Sequence, residues 1–129
     1  MTNNIKILIV DDDLRNIRIL TEMLEDLFQL DTADSGASAL NKVNTFQPDL
    51  VLLDYMMPDI DGLEICRSIR NNTQVSRDLK LIIVSGRASN VDINEGLSAG
   101  ANAYLTKPFN ENTLMNTLRE ALDLDPAMH

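Results

Sequence analysis

Several reactive side chains in this chain stand where an apolar run ends. The run KILIV, Lys6 to Val10, stops at three consecutive carboxylates, Asp11, Asp12 and Asp13. Asp54 closes LVLL, Ser85 closes LIIV, and Lys107 follows the weaker run that ends at Leu105. If Asp11, Asp12 and Asp54 converge within roughly 5 Å, each pair repels by about 3 kcal/mol at an effective dielectric near 20. One ammonium, Lys107, cannot neutralise three carboxylates, so either an acid stays protonated or a cation binds. A hard divalent ion suits an all-oxygen site. Mg²⁺ takes one or two carboxylates, keeps several waters and accepts a phosphate oxygen. An Asp screened in this way can attack phosphorus and become an acyl phosphate. Asp54 is the natural candidate, with the Lys107 ammonium and the Ser85 hydroxyl as further partners for phosphoryl oxygens.

These residues are far apart in sequence, so the fold must gather them. Short β-branched or leucine-rich runs at Ile5 to Val10, Leu50 to Leu53 and Leu81 to Val84, with weaker ones at Leu30 to Ala33 and Ala101 to Leu105, predict five strands. Between them, Leu14, Ile17, Leu20, Leu24, Leu27 and Phe28 form one helical stripe, and Leu114, Leu118, Ala121 and Leu122 form another. Further helices are expected over Ala37 to Phe46, Leu63 to Asn71 and Val91 to Ala99. Ser35, Asn90 and Asn110 are the expected caps of the second, fourth and fifth helices, and Pro48 blocks continuation of the second. Asp13 can serve as a cap for the first.

Strand and helix alternating five times imply an α/β fold: one five-stranded, mostly parallel sheet, doubly wound, with helices on both faces. In such a sheet every strand delivers its last residue to the same edge, where ligands bind beside the point at which strand order reverses. Asp11, Asp12, Asp13, Asp54, Ser85 and Lys107 all belong to that edge. A single domain over residues 1–124 with a short tail at 125–129 is expected, and His129 in that tail is read as an incidental terminal residue.

Composition narrows the function classes. In 129 residues, 44% apolar and 24% charged, the balance is that of a soluble globular chain. Twenty acidic against 11 basic residues give a net charge of −9, which argues against direct contact with nucleic acid or anionic lipid. The apolar runs fall far short of the roughly 20 residues needed to cross a bilayer, and the N-terminus lacks the apolar stretch of a signal peptide. A cytoplasmic location without membrane attachment is the expectation. Cys66 is the single cysteine and reads as a buried hydrophobe on a helix face.

The segments ILIVDDD, PDLVLLDYMMPDIDG, LIIVSG and GANAYLTKPF, in this order and spacing, resemble the receiver domain of two-component response regulators over essentially the whole chain. The resemblance implies the flavodoxin-like strand order 2-1-3-4-5 and makes Asp54 the phosphoacceptor. It assigns Mg²⁺ to Asp12, Asp54 and the backbone carbonyl of Met56, with Asp11 acting mostly through metal-bound water. It places Ser85 at the switch hydroxyl, Lys107 on the phosphoryl group before a cis bond to Pro108, and Tyr104 at the aromatic switch position. Pro58 and Gly62 match the turn after the phosphoacceptor, while Gly86 departs from the alanine most common after the switch hydroxyl. Met56 and Arg87, at variable positions, are expected to crowd the phosphoryl group and lengthen its lifetime. The implied partners are a histidine kinase or histidine phosphotransfer protein as donor, and a downstream protein or separate output domain as receiver of the signal. A phosphorylation-dependent dimer is compatible with it. On this reading the chain is a switch that catalyses only its own phosphorylation and dephosphorylation, either stand-alone or as part of a longer protein.

Two other readings share the architecture. A phosphatase of the haloacid dehalogenase type would use Asp11 as nucleophile and Asp13 as general acid, but Arg15 stands where Thr or Val is expected and no acidic pair follows Lys107. A flavodoxin-like electron carrier would need a hydroxyl-rich loop after the first strand and aromatic walls, whereas this chain offers carboxylates there and has no Trp.

Overall fold

The computed structural model describes residues 4–124, and the expected tail at 125–129 lies outside them. Five strands, β1 (Lys6–Val10), β2 (Gln29–Ala33), β3 (Leu50–Asp54), β4 (Lys80–Ser85) and β5 (Ala103–Thr106), alternate with five helices. These are α1 (Leu14–Leu24), α2 (Gly36–Phe46), α3 (Gly62–Asn71), α4 (Asn90–Ser98) and α5 (Glu111–Leu122). All strand pairs are parallel and the sheet order is β2-β1-β3-β4-β5. The expected doubly wound fold and strand order are therefore present.

The period-two geometry of a strand sends alternate residues to opposite faces. Leu8, Val10, Val51, Leu53, Leu81 and Ile83 pack on one side with Val43 of α2 and Ile65, Cys66 and Ile69 of α3. Ile7, Ile9, Leu50, Leu52, Ile82 and Val84 pack on the other with Leu20 and Leu24 of α1 and Leu114 and Leu118 of α5. Burial on both faces is why β1, β3 and β4 read as continuous apolar runs rather than alternating ones. Cys66 is buried as expected, and burial pushes its thiol up to about 11, which leaves it unreactive.

Side chains cap all five helix N-termini: Asp13, Ser35, Asp61, Ser89 and Asn110 accept from backbone N–H groups of the first turn. The cap of α4 is Ser89, one residue before the expected Asn90. Ser89 Oγ accepts from Asp92 N at 3.1 Å and donates to Asp92 Oδ2 at 2.7 Å, a reciprocal arrangement that starts the helix one residue earlier. The α1 stripe also ends sooner than its apolar periodicity suggests. The helix stops at Leu24, and Phe28 reaches the core from the turn that reverses the chain into β2.

Candidate functional site

The strand ends converge as the topology requires. Asp11 leaves β1 with its backbone N–H bonded to Ala33 O of β2, and its carboxylate is pinned by Asp13 N donating to Oδ1 at 2.9 Å. Asp54 is the last residue of β3 and 7% exposed, Asp11 is 3% exposed, and Asp12 stands in solvent. One carboxylate oxygen from each of the three lies within 4.8 Å of the others. Lys107 extends from the end of β5 to place Nζ 3.6 Å from Asp54 Oδ1 and 3.9 Å from Asp11 Oδ2. Its own N–H donates to Ser85 O at 2.7 Å, and its bond to Pro108 is cis as expected.

Three acids against one ammonium leave a formal excess of two negative charges, mostly in a buried setting. Burial, and then the neighbouring Asp11 charge, raise Asp54 from 3.8 to about 6, while Lys107 and the Met56 N–H oppose the rise. A cluster that strains toward protonation when left to itself, built wholly of oxygen donors with a single ammonium beside it, fits a hard divalent cation. Asp11, Asp12 and Asp54 are the side chains able to hold it.

Ser85 ends β4 one register step beyond Val84, the partner of Asp54, and is buried. Tyr104 lies on β5 opposite Ile83, half-buried, and its hydroxyl donates to Arg87 O at 2.8 Å. Met56 donates its N–H to Asp54 Oδ1 at 3.4 Å, and its side chain is 56% exposed. The Arg87 guanidinium, expected to crowd the phosphoryl group, lies over the Tyr55 ring 5.1 Å from its centroid. It shares a shallow recess with Tyr55, Met57, Pro58 and Asp61.

Asp13 does not join the cluster. Its carboxylate caps α1 through Arg15 N and takes Arg15 Nε and a terminal guanidinium nitrogen at 3.2 and 3.1 Å. The side-chain hydrogen bond from Arg15 holds it below the usual carboxylate range, and both of its oxygens are engaged at the α1 cap and not at the cluster.

The turn after Asp54 depends on Gly62, whose N–H donates to Tyr55 O at 3.2 Å; a Cβ there would sit 2.8 Å from that same oxygen. Two features escaped the sequence. Asp59 accepts from Gly36 N and Ala37 N at the start of α2, tying this loop to a neighbouring helix. A cavity of about 360 Å³ opens between α1 and the segment after β5, lined by Ile19, Leu20, Leu52 and Phe109 and also by Asp54 and Lys107. Ile19 on α1, half-exposed and outside the apolar stripe read from the sequence, is a signal that could have marked it.

The model of the response regulator receiver domain matches residues 7–119. The chain belongs to that family. Receiver domains are the switches of two-component signalling, and the haloacid dehalogenase and flavodoxin readings are not favoured. The transcriptional regulatory protein CseB of Streptomyces coelicolor is 36% identical over 124 residues, 95% of this chain and 51% of CseB, so the chain spans about half the length of that relative. The chemotaxis response regulator CheY4 of Vibrio cholerae superposes with a TM-score of 0.86 at 30% identity, covering 92% of this chain and 98% of CheY4. The receiver domain of the sensor histidine kinase PA1611 from Pseudomonas aeruginosa, described with a magnesium ion coordinated in its active site cleft, gives 0.83 at 28% identity, with 93% and 98% covered. Among the described residues of the present receiver, no helix is long and apolar enough to cross a membrane.

Proposed function

We propose that residues 1–124 act as a receiver whose phosphoacceptor is Asp54. The observation that carries this reading is the buried Asp54 carboxylate at the carboxyl edge of the sheet, within 4.8 Å of Asp11 and Asp12 and 3.6 Å from Lys107 Nζ. Asp12, Asp54 and the Met56 carbonyl would hold Mg²⁺, with Asp11 acting through water. When bound, the ion supplies positive charge against which phosphoryl oxygens gather.

Asp54 attacks the phosphorus of a phosphohistidine on a histidine kinase or histidine phosphotransfer protein. The new bond joins a carboxylate oxygen to phosphorus; the phosphorus–nitrogen bond breaks, and its electron pair stays on the imidazole. Lys107 Nζ meets one equatorial oxygen, and Ser85 Oγ shifts onto another from its place at the end of β4. Transfer onto and hydrolysis from its own Asp54 are the only reactions the chain catalyses. The phosphoryl group then adds charge and acceptors at one edge of the sheet, and Ser85 and Tyr104 carry that change to the surface of α4, β5 and α5.

The reading extends to context. The signal passes to a downstream protein or a separate output domain, and a phosphorylation-dependent dimer would use the same switched surface. The segment is read as cytoplasmic, and its charge of −9 supports one that does not itself read nucleic acid, even though CseB is named as a transcriptional regulator.

Mass spectrometry after incubation with Mg²⁺ and a small acyl phosphate tests the core assignment. One added phosphoryl group, mapped to Asp54 and abolished by Asp54→Asn, is expected. A label on Asp11, or labelling that survives the substitution, overturns it.

A further inference from the structure

The loop between β4 and α4, residues 86–89, is exposed throughout. A Cβ on Gly86 would meet nothing within 4 Å, so neighbouring atoms do not hold the start of the loop. Yet both groups assigned to the switch bind to it, and they bind at one residue. Arg87 N–H donates to Ser85 Oγ at 3.0 Å, and Arg87 O accepts from the Tyr104 hydroxyl at 2.8 Å. The side chain of the same residue turns back over the ring of Tyr55, which is buried and directly follows Asp54.

We propose that Arg87, stacked on Tyr55, is a positioning residue that clamps the β4–α4 loop against the phosphoacceptor strand. The clamp fixes the place where the loop carbonyl holds Tyr104 and the loop amide orients Ser85. The proposal rests on the assignment of Ser85 and Tyr104 as the switch pair. A guanidinium over an aromatic face is held by the ring quadrupole and needs no second hydrogen-bonding partner, which suits a link between two loops. Because Ser85 Oγ already accepts from Arg87 N–H, its own hydrogen is left to point toward an incoming oxygen. A shift of Ser85 toward that oxygen pulls on the Arg87 amide, and the Arg87 carbonyl bound to Tyr104 moves with it. A Cβ at Gly96 would sit 3.1 Å from Tyr104 Cδ2, so the glycine of α4 leaves the Tyr104 ring its place.

The 129 residues contain two tyrosines, so this chain labelled with 3-fluorotyrosine gives two ¹⁹F resonances, assigned through Tyr55→Phe, which keeps the ring face. The measurement is made without metal or phosphodonor. In Arg87→Ala the Tyr104 resonance is expected to move toward its position in the unfolded chain, and Arg87→Lys should restore part of the shift by retaining a cation over the ring. Arg87 is exposed, so neither variant threatens the core. A Tyr104 resonance that ignores Arg87→Ala, or that moves equally in both variants, overturns the clamp. Labelling of wild-type protein by acyl phosphate is followed in parallel. Its failure would remove the phosphoacceptor reading and leave the clamp standing, whereas normal labelling with an indifferent Tyr104 would remove the clamp alone.

Discussion

Replacing Asp54 by asparagine should stabilise the metal-free protein at neutral pH. The Asp54 carboxyl is raised from 3.8 to about 6 in the folded chain, first by burial and then by Asp11. A displacement of about two units corresponds to about 3 kcal/mol of preference for the neutral form. Between about pH 4 and pH 6 the native state therefore holds a proton that the unfolded chain has released. Stability falls as pH rises through that window and levels off above it. Asparagine keeps the shape and an oxygen that can accept the Met56 N–H but has no charge to bury. Asp54→Asn is thus expected to be about 1–3 kcal/mol more stable than wild type at pH 7.5 in EDTA, with the difference shrinking toward zero at pH 4. Urea unfolding of both proteins at the two pH values isolates the effect, because the other titrating groups cancel to first order. Millimolar Mg²⁺ should reverse the order at pH 7.5, since a ligand of the native state stabilises by mass action only where it binds. A variant less stable than wild type in EDTA, or a difference indifferent to pH, would refute the idea that unrelieved negative charge defines this site.

Four further outcomes follow from the same geometry. Mg²⁺ affinity, measured by calorimetry, should weaken progressively as pH drops below about 6, because proton and metal compete for Asp54. Lys107→Ala should move the Asp54 carboxyl still higher, since the ammonium now opposes the shift; ¹³C carboxyl titration reads the direction. Asp13→Ala should cost about 1 kcal/mol in urea unfolding through the lost α1 cap, yet leave acyl-phosphate labelling of Asp54 intact. Gly62→Ala should cost about 1–3 kcal/mol, because the new methyl meets the Tyr55 backbone, which cannot rotate aside.

The parts of the molecule that could be read from the sequence are those with a period or a terminus. Runs such as LVLLD and LIIVS declare buried strands because both faces of a central parallel strand lie in the core, and the residue that ends each run is carried to the carboxyl edge by topology alone. Asp54, Ser85 and Lys107 were legible for that reason. Helix limits were harder: Phe28 continues the apolar stripe of α1 although the helix has already ended at Leu24, because burial is shared by the turn that follows. Ser89 and Asn90 are both competent caps, and the choice fell to the residue with Asp92 three positions on. The Arg87–Tyr55 stack and the bonds from Asp59 to the start of α2 join loops 32 and 22–23 residues apart, and no local pattern encodes such a meeting.

That division has a physical consequence for how such a switch is built. The groups proposed to meet the phosphoryl oxygens stand at or just beyond the ends of β3, β4 and β5, where the sheet itself sets their starting positions. The groups proposed to report the event, Ser85 and Tyr104, both bond to an exposed loop whose first residue is an unsupported glycine, and that loop is tied to the phosphoacceptor strand through one guanidinium over one ring. A link of that kind contributes about 0.5–2 kcal/mol, small beside the 5.5 kcal/mol or so that turns a 1:99 population into 99:1. Arg87 therefore cannot throw the switch. It can only bias where the loop waits, while the larger share would have to come from the charge-assisted bonds proposed between Ser85, Lys107 and the phosphoryl group. The chemistry is thereby separated from its readout: substitutions at Arg87 should tune the resting position of Tyr104 while leaving Asp54, Asp11 and Lys107 in register to react.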